Sequence, residues 1–249
     1  MDSFNIYMLS EILLPLDIDS LIKMLQVNPY YHHFIKTSNH VTEWFWKEYF
    51  KYHGYLPEET NLKRALQLRQ LYKCCPRNNN YQLFLNIKYL YLHRIRISMI
   101  PKNLLCLTNL IRIDLGFNQI REIPERLSRL TNLQELYLSE NKISVIPESF
   151  SRLTNLNKLD LSHNQISEIP ESFSRLTNLQ ILYLHNNQIS DIPESLSRLI
   201  NLTHLYLFWN QISEIPESFL RLTNLYFLFL SKNQITEIPE SLRHLPIYI

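Results

Sequence analysis

At 249 residues, 45% of them hydrophobic, with a formal net charge of +2, the chain has material for a core and no charge bias toward nucleic acid or a membrane surface. Two glycines (Gly54, Gly116) leave no phosphate-cradling loop, and no apolar run approaches the roughly 18 residues of a membrane span. Three cysteines (Cys74, Cys75, Cys106) form no paired framework, and Met1–Asn5 lacks the positive start of a secretory leader, so the expected setting is reducing, intracellular and cytoplasmic.

The first 80 residues read as a small all-α domain. The stretch from Ile12 to Asn28 predicts two short helices with a break near Pro15–Asp19. Asp19 or Ser20 caps the second, and Leu21, Met24 and Leu25 form its apolar stripe. Pro29 and Tyr30–Ile35 open a third segment, and Trp44-Phe45-Trp46 with Tyr49-Phe50 closes it. Thr60–Cys75 reads as one amphipathic helix, ended by Pro76-Arg77-Asn78-Asn79-Asn80, where the domain boundary is placed. The plain reading is a helical cap that shields one end of the C-terminal domain.

The spacing of Ile12, Leu13, Leu16, Asp17, Leu21 and Val27, with Tyr31 and a closing Trp44 or Trp46, resembles an F-box over about 50 residues. Phe4-Asn5 and Tyr7 stand where that family carries its opening Leu-Pro and an acidic residue. The resemblance implies docking on the small adaptor subunit of a cullin-type ubiquitin ligase, with Ile12, Leu13, Leu16, Leu21, Leu25 and Val27 as apolar contacts.

From Ile87 a 23-residue period runs to the C-terminus, its units starting at Ile87, Leu110, Leu133, Leu156, Leu179, Leu202 and Leu225 without insertion or deletion. Such a period means a solenoid, because one unit cannot bury its apolar face alone. In each unit, apolar residues at the first, fourth and sixth positions enclose a short strand whose third and fifth positions point outward. An asparagine stands next, where the chain leaves the strand (Asn118, Asn141, Asn164, Asn187, Asn210, Asn233). Its amide both donates and accepts, so a stacked series can satisfy the backbone groups left open by the turn. The Ile-Pro pairs from Ile100-Pro101 to Ile238-Pro239 predict a return limb that is extended or one turn of helix. The first unit departs from the pattern with Ile95 in place of the asparagine. At the other end, His244–Ile249 either folds over the last unit or leaves an apolar end.

These residues resemble the leucine-rich repeat family, in its 23-residue intracellular type. The resemblance implies an α/β solenoid over 81–249: seven units, a parallel sheet on the concave side and short helical or irregular limbs on the convex side. The whole chain is similar to F-box/leucine-rich repeat proteins of large DNA viruses with AT-rich genomes, and the scarcity of Ala and Gly agrees with such a source. The Asn201-Leu202-Thr203 sequon is read as coincidental, because Leu202 is a core position.

The concave positions are free of the consensus. Units two to four carry mixed charges, including Arg112, Asp114, Glu135, Lys158 and Asp160. Units five to seven carry Tyr183, His185, His204, Tyr206, Phe208, Trp209, Phe227 and Phe229, which adjacent strands would gather into one aromatic patch. The alternative is rings that merely cover a sheet where strand propensity favours them. Few basic residues interleave the rings, so a nucleic-acid partner is not expected.

No nucleophile stands in a catalytic setting. The pairs His32-His33 and Cys74-Cys75 are adjacent, poorly spaced for one metal and without a third ligand, so neither metal nor cofactor is expected. The reading is a non-enzymatic adaptor that holds a protein target on its concave face and joins a ubiquitin ligase through its N-terminal domain. The alternative is a signalling scaffold of the small-GTPase-linked repeat type with no ubiquitin role.

Overall fold

The computed structural model describes residues 88–100, 104–105 and 107–249. The predicted boundary near residue 80, the adaptor-docking residues Ile12, Leu13, Leu16, Leu21, Leu25 and Val27, and all three cysteines lie outside the described residues.

Eight short strands form one parallel sheet in chain order: β1 (Tyr89–Tyr91), β2 (Arg112–Asp114), β3 (Glu135–Tyr137), β4 (Lys158–Asp160), β5 (Ile181–Tyr183), β6 (His204–Tyr206), β7 (Phe227–Phe229) and β8 (Ile247–Tyr248). From β1 to β7 each residue pairs with the one 23 positions on, as Leu90 with Ile113 and Leu205 with Leu228. The repeat predicts seven strands, and eight are present among the described residues. Phe229 pairs with Tyr248, four residues sooner than the repeat would bring, because the last return limb is short. The apolar C-terminal segment thus joins the sheet rather than only covering it.

Each coil closes on the same core. The fourth-position residues Leu90, Ile113, Leu136, Leu159, Leu182, Leu205 and Leu228 are fully buried, and the sixth-position leucines nearly so. Opposite them, after Pro124, Pro147, Pro170, Pro193 and Pro216, the return limb makes one five-residue turn of 3-10 helix. Proline suits the residue before that turn: its φ is fixed near the observed −60° to −71°, and its carbonyl accepts the first i→i+3 bond, as from Leu127 N at 2.8 Å. Each turn drops a Leu or Phe inward. Phe150, Phe173 and Phe219 are the largest fully buried side chains, and Phe150 stacks on Phe173 at 6.3 Å.

The exit from each strand is the tightest point. The eighth residue of every unit (Arg94, Phe117, Glu140, His163, Asn186, Trp209, Lys232) is left-handed, with φ between 53° and 59°. The asparagine at the ninth position stitches the coils together. Asn141 Oδ1 accepts from Ile120 N of the preceding coil at 2.9 Å, while its Nδ2 donates to Leu115 O of that coil and Leu138 O of its own, each at 3.0 Å. Asn118, Asn164, Asn187, Asn210 and Asn233 repeat this geometry. In the first unit the series lacks its asparagine, and Asn118 Oδ1 serves both Ile95 N and Ile97 N.

A second asparagine series, not anticipated from the sequence, runs along the other end of the strands. Asn132, Asn155, Asn178, Asn201 and Asn224 each donate to a carbonyl of the preceding coil at 2.7 to 3.0 Å. The amide of Asn201 in the sequon therefore has a bonding role in the solenoid.

Replacing Asn141 by Ala strands the buried Ile120 N–H, while Leu115 O and Leu138 O each keep a neighbouring asparagine donor, and should lower stability by about 2 kcal/mol. Urea unfolding measures this, and a loss below about 1 kcal/mol would show that the series is ornamental.

Candidate interaction surface

Because strands pair in register, equivalent positions fall into rows across the concave sheet. The fifth-position row reads Tyr91, Asp114, Tyr137, Asp160, Tyr183, Tyr206, Phe229, and β8 extends it with Tyr248. From Tyr183 onward the row is a continuous stack, with ring centroids at 4.6 Å (Tyr183–Tyr206), 5.0 Å (Tyr206–Phe229) and 4.8 Å (Phe229–Tyr248), and planes within 20° of each other. Two flanking rows carry further pairs: His185 on Phe208 at 4.3 Å, and His204 beside Phe227 at 5.0 Å. The structure thus brings seven of the eight predicted residues into one network of rings. Trp209 stands at its rim, 56% exposed, with its indole on no described ring.

Tyr248 was missed because it lies off the 23-residue register. The alternating Ile247-Tyr248-Ile249 after Pro246 was the one signal in the sequence that could have found it.

The stacking sets what the face presents. Faces of the rings are covered by neighbouring rings, so their edges and tips point outward. Burial raises the pKa of Tyr183, with Asp160 adding to it, and burial likewise raises that of Tyr206. Both phenols are neutral donors at physiological pH.

Over β1 to β5 the same row is built differently. The cation of Arg112 lies 5.5 Å from the Tyr91 ring and 4.6 Å from Tyr137; that of Lys158 lies 5.4 Å from both Tyr137 and Tyr183. Arg112 also pairs with Glu135 at 3.0 Å, and the Tyr137 hydroxyl donates to Glu135 Oε2 at 2.7 Å. Burial, followed by the Glu135 bond, pushes the Tyr137 phenol far above its ordinary value. Among the described residues no group of three His, Cys, Asp or Glu side chains is arranged to hold a metal ion.

Trp209 stands apart from the fold's own needs. A left-handed backbone disfavours a bulky side chain by about 1 kcal/mol or more, and glycine removes that strain. Trp209→Gly should therefore leave stability within about 1 kcal/mol of the parent by urea unfolding. A collapse of the fold would make the indole structural.

His185 carries the pH response. Burial first, then the neighbouring His163, holds its pKa below the usual histidine value, against an opposing pull from Asp160. The unfolded chain therefore binds this proton more readily than the folded one. Stability from this group is intact above the unfolded pKa of about 6.5 and falls as pH drops through it. Denaturant midpoints should decline between about pH 7.5 and about pH 5.5, and His185→Phe should flatten that slope. An unchanged slope in the variant would remove His185 as the origin.

The chain matches the family model described as Leucine rich repeat over residues 86–143 and 108–166, and that described as Leucine Rich repeats (2 copies) over residues 154–198, 177–210 and 200–244. No curated protein matches it. Among solved structures it is similar to an internalin (inlF) of Listeria monocytogenes, with a TM-score of 0.59 and 35% identity over 66% of this chain and 47% of that one. It is also similar to a leucine-rich repeat protein of Leptospira interrogans, with a TM-score of 0.54 and 27% identity over 62% of this chain and 45% of that one. An internalin C2 of Listeria monocytogenes gives a TM-score of 0.54 and 29% identity over 66% of this chain and 79% of that one. The chain thus spans about half the length of the first two. With family matches running unbroken from residue 86 to residue 244 over a solenoid in which each coil from the second to the seventh carries a bonded asparagine at its strand exit, the chain belongs to the leucine-rich repeat family.

Proposed function

We propose that the chain is a non-enzymatic adaptor that holds a protein target on the aromatic end of its concave face. Leucine-rich repeat solenoids generally serve protein–protein interaction, and repeat solenoids use their extended concave surfaces to bind. The observation that carries the reading is the stack from Tyr183 to Tyr248, flanked by His185, His204, Phe208 and Phe227 and rimmed by Trp209. The core is already full beneath it, since the leucines between these rings are wholly buried. Large rings held rigid by their neighbours lose little side-chain entropy on binding, which is why aromatic anchors dominate interface energetics.

In this reading the N-terminal segment, with Ile12, Leu13, Leu16, Leu21, Leu25 and Val27, docks on the small adaptor subunit of a cullin-type ubiquitin ligase and brings the target to it. Support comes from the F-box-like spacing of those residues and its coupling to a repeat array. The odd count of three cysteines, with no paired framework in the sequence, supports work in the cytoplasm, the host's if the source is viral. The uniform 23-residue unit favours a second reading, a signalling scaffold with no ubiquitin role.

Point variants of the full chain separate these readings in affinity capture from cell extract read by mass spectrometry. Tyr206→Ala with Phe229→Ala should lose the target at least about tenfold while ligase subunits are retained. Leu13→Asp with Leu16→Asp should do the reverse. A target that survives the first pair rejects the concave site, and a wild-type chain that captures a target but no ligase subunit leaves the scaffold.

A further inference from the structure

The concave face continues past the rings into a region of opposite character. At the seventh position, where β5 and β6 carry His185 and Phe208, the preceding coils carry Gly116, Ser139 and Ser162. These three succeed one another across the sheet, since Phe117 N donates to Ser139 O and Glu140 N to Ser162 O. The floor is tight: a Cβ on Gly116 would meet Ser139 Oγ at 3.3 Å and Asp114 Oδ1 at 3.4 Å. Small side chains between two rows of large ones leave a shallow trough, stopped at β5 by the His185–Phe208 stack.

Carboxylates predominate around this trough. Asp114 and Asp160 border it on the fifth-position side, Glu140 on the eighth-position side. The cations Arg112 and Lys158 lie beyond the fifth-position row, against tyrosine rings, and Arg112 is paired with Glu135; Arg94, on the eighth-position side, lies over the Phe117 ring at the β2 end, away from Glu140 and Asp160. Other titratable groups at the trough are His93, 3.6 Å from Asp114, and His163, 3.4 Å from Glu140. Asp114 and Asp160 also accept local bonds, from Gly116 N and from Ser162 N and Oγ. These bonds hold the carboxylates in place without cancelling their charge.

We propose that the partner on this face is an extended, bipartite protein segment, with an apolar anchor on the rings of β5 to β8 and a lysine or arginine in the carboxylate-bordered trough over β2 to β4. Charge complementarity selects a basic occupant, and continuity of trough and rings lets one chain cover both. Three strand spacings of about 4.8 Å separate β3 from β6, so the basic residue stands about four residues from the anchor in an extended chain. The stacked rings offer edges rather than faces, so the anchor is apolar or aromatic and the cation goes to the trough. This inference rests on the concave-face reading above.

Random peptides of about twelve residues, displayed on phage, are selected on the immobilised full chain and counter-selected on Tyr206→Ala. Retained peptides should hold a large apolar residue and a Lys or Arg about four positions away. Synthesised, they should bind the double variant Glu140→Gln, Asp160→Asn about tenfold more weakly, and lose the difference at high salt. Peptides that depend on Tyr206 but show no basic preference, or that bind the double variant unchanged, overturn the bipartite partner and leave the aromatic site standing. Recovery of no Tyr206-dependent peptide overturns both.

Discussion

The asparagine that closes the strand exit in the second to seventh coils sets the spacing on which everything else in this solenoid depends. The amide of Asn141 bonds to the coil before it and to its own, so neither coil satisfies its backbone alone. The same demand recurs every 23 residues and fixes the length of each coil. Parallel strands then lie about 4.8 Å apart, which is close to the natural separation of stacked rings. An aromatic row placed on such a sheet has little choice but to stack, and the centroid distances of 4.6 to 5.0 Å along Tyr183, Tyr206, Phe229 and Tyr248 show it doing so. The aromatic surface inherits its order from the backbone.

That inheritance also explains the other half of the face. A tyrosine row cannot continue where the fifth position is Asp114 or Asp160. In those coils the third position supplies Arg112 or Lys158, which lie over the rings on either side. Cations thus bridge the gaps left by the aspartates, and the row stays connected from β1 to β8. The arrangement draws positive charge toward the third-position row and leaves carboxylates beside the small seventh-position residues. Polar and aromatic ends of the surface are two ways of filling one lattice.

The same lattice decides how much of the molecule was legible in the sequence. Seven strands, their inward leucines and the outward rows could be read directly, because a strict 23-residue period assigns every residue a position. The eighth strand could not, since Ile247 and Tyr248 pair four residues early, outside any alignment on the repeat. Nor could the cation bridging, which joins the third position of one coil to the fifth of its neighbours and depends on how long side chains lie. The second asparagine series was visible as a recurrent Thr-Asn pair, with Ile200-Asn201 the one departure in the series. Its role was not, because a carbonyl 24 residues back is a three-dimensional neighbour only once the coils have closed.

The scaffold and the surface are separable in this chain almost residue by residue, and Trp209 marks the limit of that separation. Buried positions are filled with Leu, Ile and Phe of nearly constant volume, so outward positions can vary without disturbing the core. The eighth position is different, because its left-handed backbone is part of the scaffold while its side chain belongs to the surface. Asn186 satisfies both demands, since asparagine tolerates that conformation; Trp209 satisfies only the second. A large indole held 56% exposed on a backbone that disfavours it has no compensation from ring stacking within the described residues. The rim of β6, where the stacked rings end, is thus the place at which the demands of scaffold and surface diverge most.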